Sequence, residues 1–180
     1  PVLVQRYVEG YGTGIELLAD EGRIVAGFQH RRLHEVPVTG GMSSWRRAEV
    51  PDSDLLEFSR RLISDLAWTG LALVEFRMTP DGTVLMEITG RVWGTIALPV
   101  RSGLDVPLLA GLLHLGRPLP EQIEFTPGVE VRNAELVVRW LGSVLKAAVS
   151  PGRRAPAGLG EVAETIRALL DPRTAFDVYQ

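Results

Sequence analysis

Residues 71–94 read Leu71-Ala72-Leu73-Val74-Glu75-Phe76-Arg77-Met78-Thr79-Pro80-Asp81-Gly82-Thr83-Val84-Leu85-Met86-Glu87-Ile88-Thr89-Gly90-Arg91-Val92-Trp93-Gly94. Apolar residues alternate with period two over Leu71–Met78 and Val84–Thr89, which is strand spacing. Between the runs, Pro80 presets the first turn position, Asp81 suits the second and Gly82 takes a left-handed one. The pattern predicts a β-hairpin with a three-residue loop and a glycine bulge. In that register Thr79 pairs with Thr83, and counting back sets Glu75 opposite Glu87. Like charges facing each other across a sheet are destabilising, so a cation belongs between them. Paired carboxylates beside other oxygen ligands suit a Mg²⁺ that also carries nucleotide phosphate.

The same residues carry a family likeness. Val74-Glu75-Phe76, followed by Met86-Glu87-Ile88-Thr89-Gly90-Arg91-Val92-Trp93-Gly94-Thr95, resembles the metal-binding core of the ATP-grasp superfamily. The nearest flavour is the carbamoyl-phosphate-synthase-like and carboxylate–amine-ligase branch. There, a Glu on one strand is followed by Glu-Ile-Asn-x-Arg on the next. By this resemblance Glu75, Glu87 and Thr89 are the metal ligands, Thr89 standing where the family has Asn, and Arg91 is the catalytic cation. The implied cofactors are ATP and Mg²⁺ (or Mn²⁺).

Composition bounds the rest. The chain has 180 residues, 46% hydrophobic and 23% charged, enough for one domain with a core. A net charge of −3 argues against nucleic acid as the main partner. There is no cysteine, which excludes disulfides, thiol catalysis and cysteine-bound zinc and fits a cytoplasmic protein. No run reaches the roughly 20 apolar residues of a membrane span, so no membrane partner is expected. Lys146 is the single lysine among 19 basic residues. By the resemblance, lysines of a smaller N-terminal subdomain hold the nucleotide phosphates; that part of the parent protein is expected to be missing here.

Residues Val2–Val8 read as a strand. By the resemblance their backbone carries adenine, with groups around Arg6 and Val8 flanked by Gln5 and Tyr7. Glu9–Gly14 reads as a Gly-rich loop; no helix follows it, so it fails as a P-loop. Ile15–Ala19 and Arg23–Gln29 form a hairpin. His30 and His34 read as ordinary surface or half-buried histidines. Arg32 joins the nucleotide-binding set, although alternation does not separate it from Arg31. Thr39–Ser44 could cradle anionic oxygens with backbone N–H groups. A helix opens at Pro51–Asp54 and runs to about Ala67, with acids in its first turn and an apolar face. Short helices follow over residues 96–101 and 107–114. A loop spans 116–130, and helices cover about 133–149 and 159–170. A breaker cluster lies at 150–158 and an extended tail at 171–180.

The expected fold is α+β: an antiparallel sheet flanked by helices, the ATP-grasp C-terminal subdomain over residues 1–115, with a helical extension over 116–180. The implied activity is an ATP-dependent ligase that activates a small carboxylate as an acyl phosphate for attack by an amine. The competing reading is a degenerate, non-catalytic module that binds nucleotide or a partner protein. The assembly is left open, a homodimer included.

Overall fold

The computed structural model describes residues 2, 4–37, 40–148, 158–171, 174 and 176–177. In chain order the elements are β1 (Tyr11–Asp20), β2 (Arg23–Val36), β3 (Met42–Glu49), α1 (Ser53–Asp65), β4 (Gly70–Thr79), β5 (Gly82–Thr89), α2 (Ala97–Arg101), α3 (Val106–His114), β6 (Glu130–Asn133), α4 (Ala134–Ala148), α5 (Leu159–Leu170) and β7 (Phe176–Asp177). The α+β class and the helix-flanked antiparallel sheet agree with the sequence reading. The chain forms two compact units. One comprises residues 1–31, 50–93 and 106–123; the other comprises 32–49, 94–105 and 124–180.

In the first unit the strands lie in the order β5-β4-β1-β2, all antiparallel. The odd residues Ile15, Leu17 and Ala19 of β1 turn to one face. There they pack with Ala72, Val74 and Phe76 of β4 and with Leu55 and Ile63 of α1. Asp52 caps α1, its Oδ1 accepting from the N–H groups of Asp54 and Leu55 at 2.9 and 3.1 Å. The helix is tied to the sheet by a chain of hydrogen bonds. Asp52 N–H donates to Gln29 Oε1 at 2.7 Å, Gln29 Nε2 donates to Thr13 Oγ1 at 3.1 Å, and Thr13 Oγ1 donates to the His30 carbonyl at 2.6 Å.

Two sequence readings fail here. Residues 4–9 form no strand; Val2, Val4 and Tyr7 are exposed, and among the described residues no neighbouring strand takes up their backbone groups. Tyr11–Gly14, read as loop, belongs to β1. Its glycines are accommodated by pairing, Gly12 with Arg77 and Gly14 with both His30 and Glu75.

In the second unit the order is β2-β3-β6-β7, with β6 and β7 parallel. Strand β6 falls where the sequence reading passes from loop (to 130) to helix (from about 133): four residues beside Pro- and Gly-rich sequence carry too little periodicity to show a strand, which β3 supplies by pairing Trp45 with Arg132 and Arg47 with Glu130. Asn133 ends β6 and caps α4, its Oδ1 accepting from Leu136 N–H at 2.9 Å. Val131, Val137, Trp140 and Val144 are buried with Trp45. His34 is buried too, contrary to its reading as a surface or half-buried residue. Its ring stacks on Trp140 at 3.9 Å, meets Trp45 edge-on at 4.7 Å, and its Nε2 lies 3.0 Å from Glu161 of α5. Burial, aided by Arg132, lowers its pKa to about 4. Thr39, most of the breaker cluster and most of the tail lie outside the described residues.

Candidate active site

The site is built on the β4–β5 hairpin. Glu75 stands opposite Glu87, as the sequence reading requires, but by a different route. The turn has two residues, so Thr79 pairs with Gly82 and Met78 with Thr83. Carried on, that register would set Met86 opposite Glu75 and turn Glu87 to the other face. Phe76 pairs with Leu85, however, and Glu75 with Glu87, leaving Met86 as an extra, bulged residue. The bulge returns Glu87 to Glu75's face. Glu75 is half-buried and Glu87 exposed.

Thr89 follows Glu87 on the same face, opposite Leu73. Its hydroxyl donates to Glu87 Oε1 at 3.2 Å, which orients that carboxylate. Arg91 lies just past the end of β5, exposed, with its guanidinium donating to the Val92 carbonyl at 3.1 Å. Gly90 fixes this exit: a Cβ there would come within 2.6 Å of the Trp68 ring.

Residues 6–10 and 79–84 line a groove of about 780 Å³. Arg6, Tyr7 and Val8 of the expected adenine segment therefore face a cavity; Gln5 is exposed beside it. Arg77 ties the segment to β4, its Nε donating to the Val8 carbonyl at 3.4 Å. Arg32 belongs to the second unit, where it donates to Glu35 Oε1 at 3.3 Å and to the Gly41 carbonyl at 3.0 Å.

Two residues escaped the sequence reading, Arg77 and Glu16, and a third, His30, is fully buried, contrary to its reading as a surface or half-buried histidine. Arg77 is buried and two positions from Glu75, hence on the same face. A charge at an inward position of an apolar strand was the signal that could have found it. Glu16 and His30 are fully buried, with Glu16 Oε1 2.8 Å from His30 Nδ1. Glu16 likewise interrupts the apolar run Ile15–Ala19, but nothing in the sequence pairs it with His30.

The donor set fits a divalent cation brought in with phosphate. Among the described residues no group of three or more His, Cys, Asp or Glu is placed to hold a metal ion alone. Two hard carboxylates facing each other are what Mg²⁺ uses when phosphate oxygens and water complete its octahedron.

The fold is that of ATP-grasp proteins. The chain is similar to biotin carboxylase of Campylobacter jejuni, solved as a βγ-ATP complex (TM-score 0.54, 14% identity, covering 70% of this chain and 30% of that one). It is also similar to the phosphoribosylaminoimidazole carboxylase ATPase subunit of Aquifex aeolicus (0.51, 19%, 61% and 35%). A third likeness is to the multifunctional pyruvate carboxylase of Rhizobium etli (0.52, 18%, 68% and 13%). The chain thus spans only a minor part of each of these proteins. It belongs to the family described as ATP-grasp in the biosynthetic pathway with Ter operon, whose model matches residues 1–137. No curated protein matches it. Among the described residues, no helix is long and apolar enough to cross a membrane.

Proposed function

We propose that this chain forms part of an ATP-dependent ligase in which Glu75 and Glu87 hold the divalent cation of Mg·ATP. The observation that carries the reading is the pairing of these acids on one face, Glu87 exposed, in a chain of the ATP-grasp family. A cation bound there would neutralise phosphate charge and act as a Lewis acid. Thr89 keeps the Glu87 carboxylate turned to its task. Backbone groups around Arg6 and Val8 would take adenine, a carbonyl accepting from the exocyclic amine and an N–H donating to a ring nitrogen, while Arg77 steadies the segment. Arg91 would turn from Val92 to the anion that develops as a substrate carboxylate oxygen attacks the γ-phosphorus of ATP, ADP leaving, to give an acyl phosphate. An amine then attacks the acyl carbon, the C–N bond forms, and phosphate leaves with the electrons of the broken C–O bond. A cytoplasmic setting, small carboxylate and amine substrates, and a phosphate contact from Arg32 belong to the same proposal.

One observation favours a second reading, a nucleotide-binding module without chemistry: the Thr89 hydroxyl is engaged with Glu87 where the family resemblance expects an amide ligand. Calorimetric titration with Mg·ATP and with metal-free ATP tests the site. Wild type is expected to prefer Mg·ATP, and Glu75→Gln and Glu87→Gln each to lose at least about tenfold in affinity, the scale of one charge-assisted contact. Equal binding by all three proteins would remove the acids from the site. ADP release by the full-length protein, stimulated by a carboxylate, separates the ligase from the binding module.

A further inference from the structure

Strand β4 carries both ends of the first unit's site in one line. Glu75 is level with Glu87 of β5, Arg77 with Gly12 of β1 and Val84 of β5, and Thr79 with Gly82 at the groove lined by residues 6–10 and 79–84. Glu75 and Arg77 share a face. At about 3.3 Å per residue, Glu75 and Thr79 stand roughly 13 Å apart. A nucleoside triphosphate laid along the strand would bridge that separation, with its base in the groove and its terminal phosphates at the acids.

Arg77 is the charged side chain between the two ends. It is buried, and its Nε donates to the Val8 carbonyl at 3.4 Å. A buried charge is costly unless hydrogen bonds hold it, and the Val8 carbonyl supplies one. Beside it, Gly10 has a φ of +152°. A Cβ on Gly10 would overlap the Met78 carbonyl oxygen and lie 3.5 Å from Arg77 Cγ, so only glycine brings the chain this close to β4. Two points of the segment are thus fixed to successive residues of one strand, Val8 by Arg77 and Gly10 by Met78. The segment that faces the groove takes its position from the strand that also carries Glu75.

We propose that Arg77 is a positioning residue that sets the spacing of the site: through the Val8 carbonyl it holds a bound base at the distance from the Glu75–Glu87 pair that one triphosphate chain spans. The inference rests on the reading of those acids as the cation pair and of the backbone around Arg6 and Val8 as the base segment. Two anchor points joined by a chain reinforce each other only when their separation matches the chain's reach. Moving the segment therefore costs affinity for a ligand that uses both ends and none for a ligand that uses the acids alone.

The test compares the whole chain with its Arg77→Met and Gly10→Ala variants. Without nucleotide, the ¹³C carbonyl resonance of Val8 reads the contact itself. It should move in Arg77→Met, while that of Val144 in α4 stays. Titration with Mg·ATP and with magnesium tripolyphosphate, which has neither base nor sugar, then reads the spacing. The ratio of the two affinities should fall about tenfold in Arg77→Met, the scale of one hydrogen bond to a charged group. Any effect of the lost charge on the phosphates is common to both ligands and cancels in the ratio. Gly10→Ala, which keeps the charge, should lower the ratio likewise, and it stands in where the methionine variant fails to fold. An unmoved Val8 resonance, or a ratio unchanged from wild type, overturns the proposal. A moved resonance in a chain whose wild type binds neither ligand establishes the Arg77–Val8 contact and overturns the cation reading, and the spacing role with it.

Discussion

Glu87 faces Glu75 because Met86 faces nothing. The two-residue turn brings the hairpin back one position early, and the bulge at Met86 absorbs the difference. A bulge also sharpens the local right-handed twist and re-aims the side chains beside it. It lies between the last regular pair, Phe76 with Leu85, and the acidic pair itself. The alignment of two like charges is thus maintained by a local irregularity, a cost in pairing that a bound cation would offset.

Thr89→Asn should strengthen Mg·ATP binding by about 1 kcal/mol, because an amide carbonyl is a better ligand for a hard dication than a neutral hydroxyl. Calorimetry on the variant and wild type reads this directly. A weakened affinity would mean that Thr89 serves chiefly by holding Glu87, through the contact of 3.2 Å.

Gly14→Ala should destabilise the protein by about 1–3 kcal/mol, the usual cost of overpacking. The added methyl meets His30 and Leu73 at 2.8 Å and the Val74 carbonyl at 3.3 Å, all on buried groups. Urea unfolding gives the difference, and a midpoint equal to wild type would show that the space over Gly14 is not filled as described.

Gly90→Ala should displace the start of the Arg91 segment, since its methyl would lie 2.6 and 2.7 Å from two atoms of the Trp68 indole. The expected signature is a change in Trp68 fluorescence together with a loss of stability on the order of 1–3 kcal/mol. An unchanged emission spectrum at full stability would count against the close approach.

Stability should fall with acid through His34. Its folded pKa, about 4, lies below the ordinary 6.5, so the neutral ring is favoured in the folded state. That contribution is fully present above pH 6.5 and is lost progressively as pH falls from 6.5 toward 4, on the order of 3 kcal/mol in all. Glu161, whose pKa burial raises, acts in the opposite sense at the acid end. The comparison is therefore between wild type and His34→Gln, by urea unfolding at several pH values. Parallel stability profiles for the two proteins would exclude His34 as the source.

Period-two alternation and the Pro-Asp-Gly turn were enough to locate the β4–β5 hairpin, and helical periodicity with Asp52 as cap located α1. These signals are local, set by residues near one another in sequence. The pairing of Glu75 with Glu87 was legible for the same reason, although the turn and bulge that produce it were not: two compensating one-residue shifts leave the alternation at the acids unchanged. Strand β6 is a different case, since four residues become a strand only when β3 lies alongside. The pairs Glu16 with His30, fully buried, and His34 with Glu161 were invisible because each joins residues from different elements. A carboxylate beside a histidine is a matter of register and burial, neither of which a single strand's sequence contains. Sequence by itself determined where the acids, the arginine and the proposed nucleotide segment fall along the chain. Tertiary structure alone decided which of them share a face, because facing is fixed by hydrogen-bond register between strands and by the side chains that a glycine leaves room for.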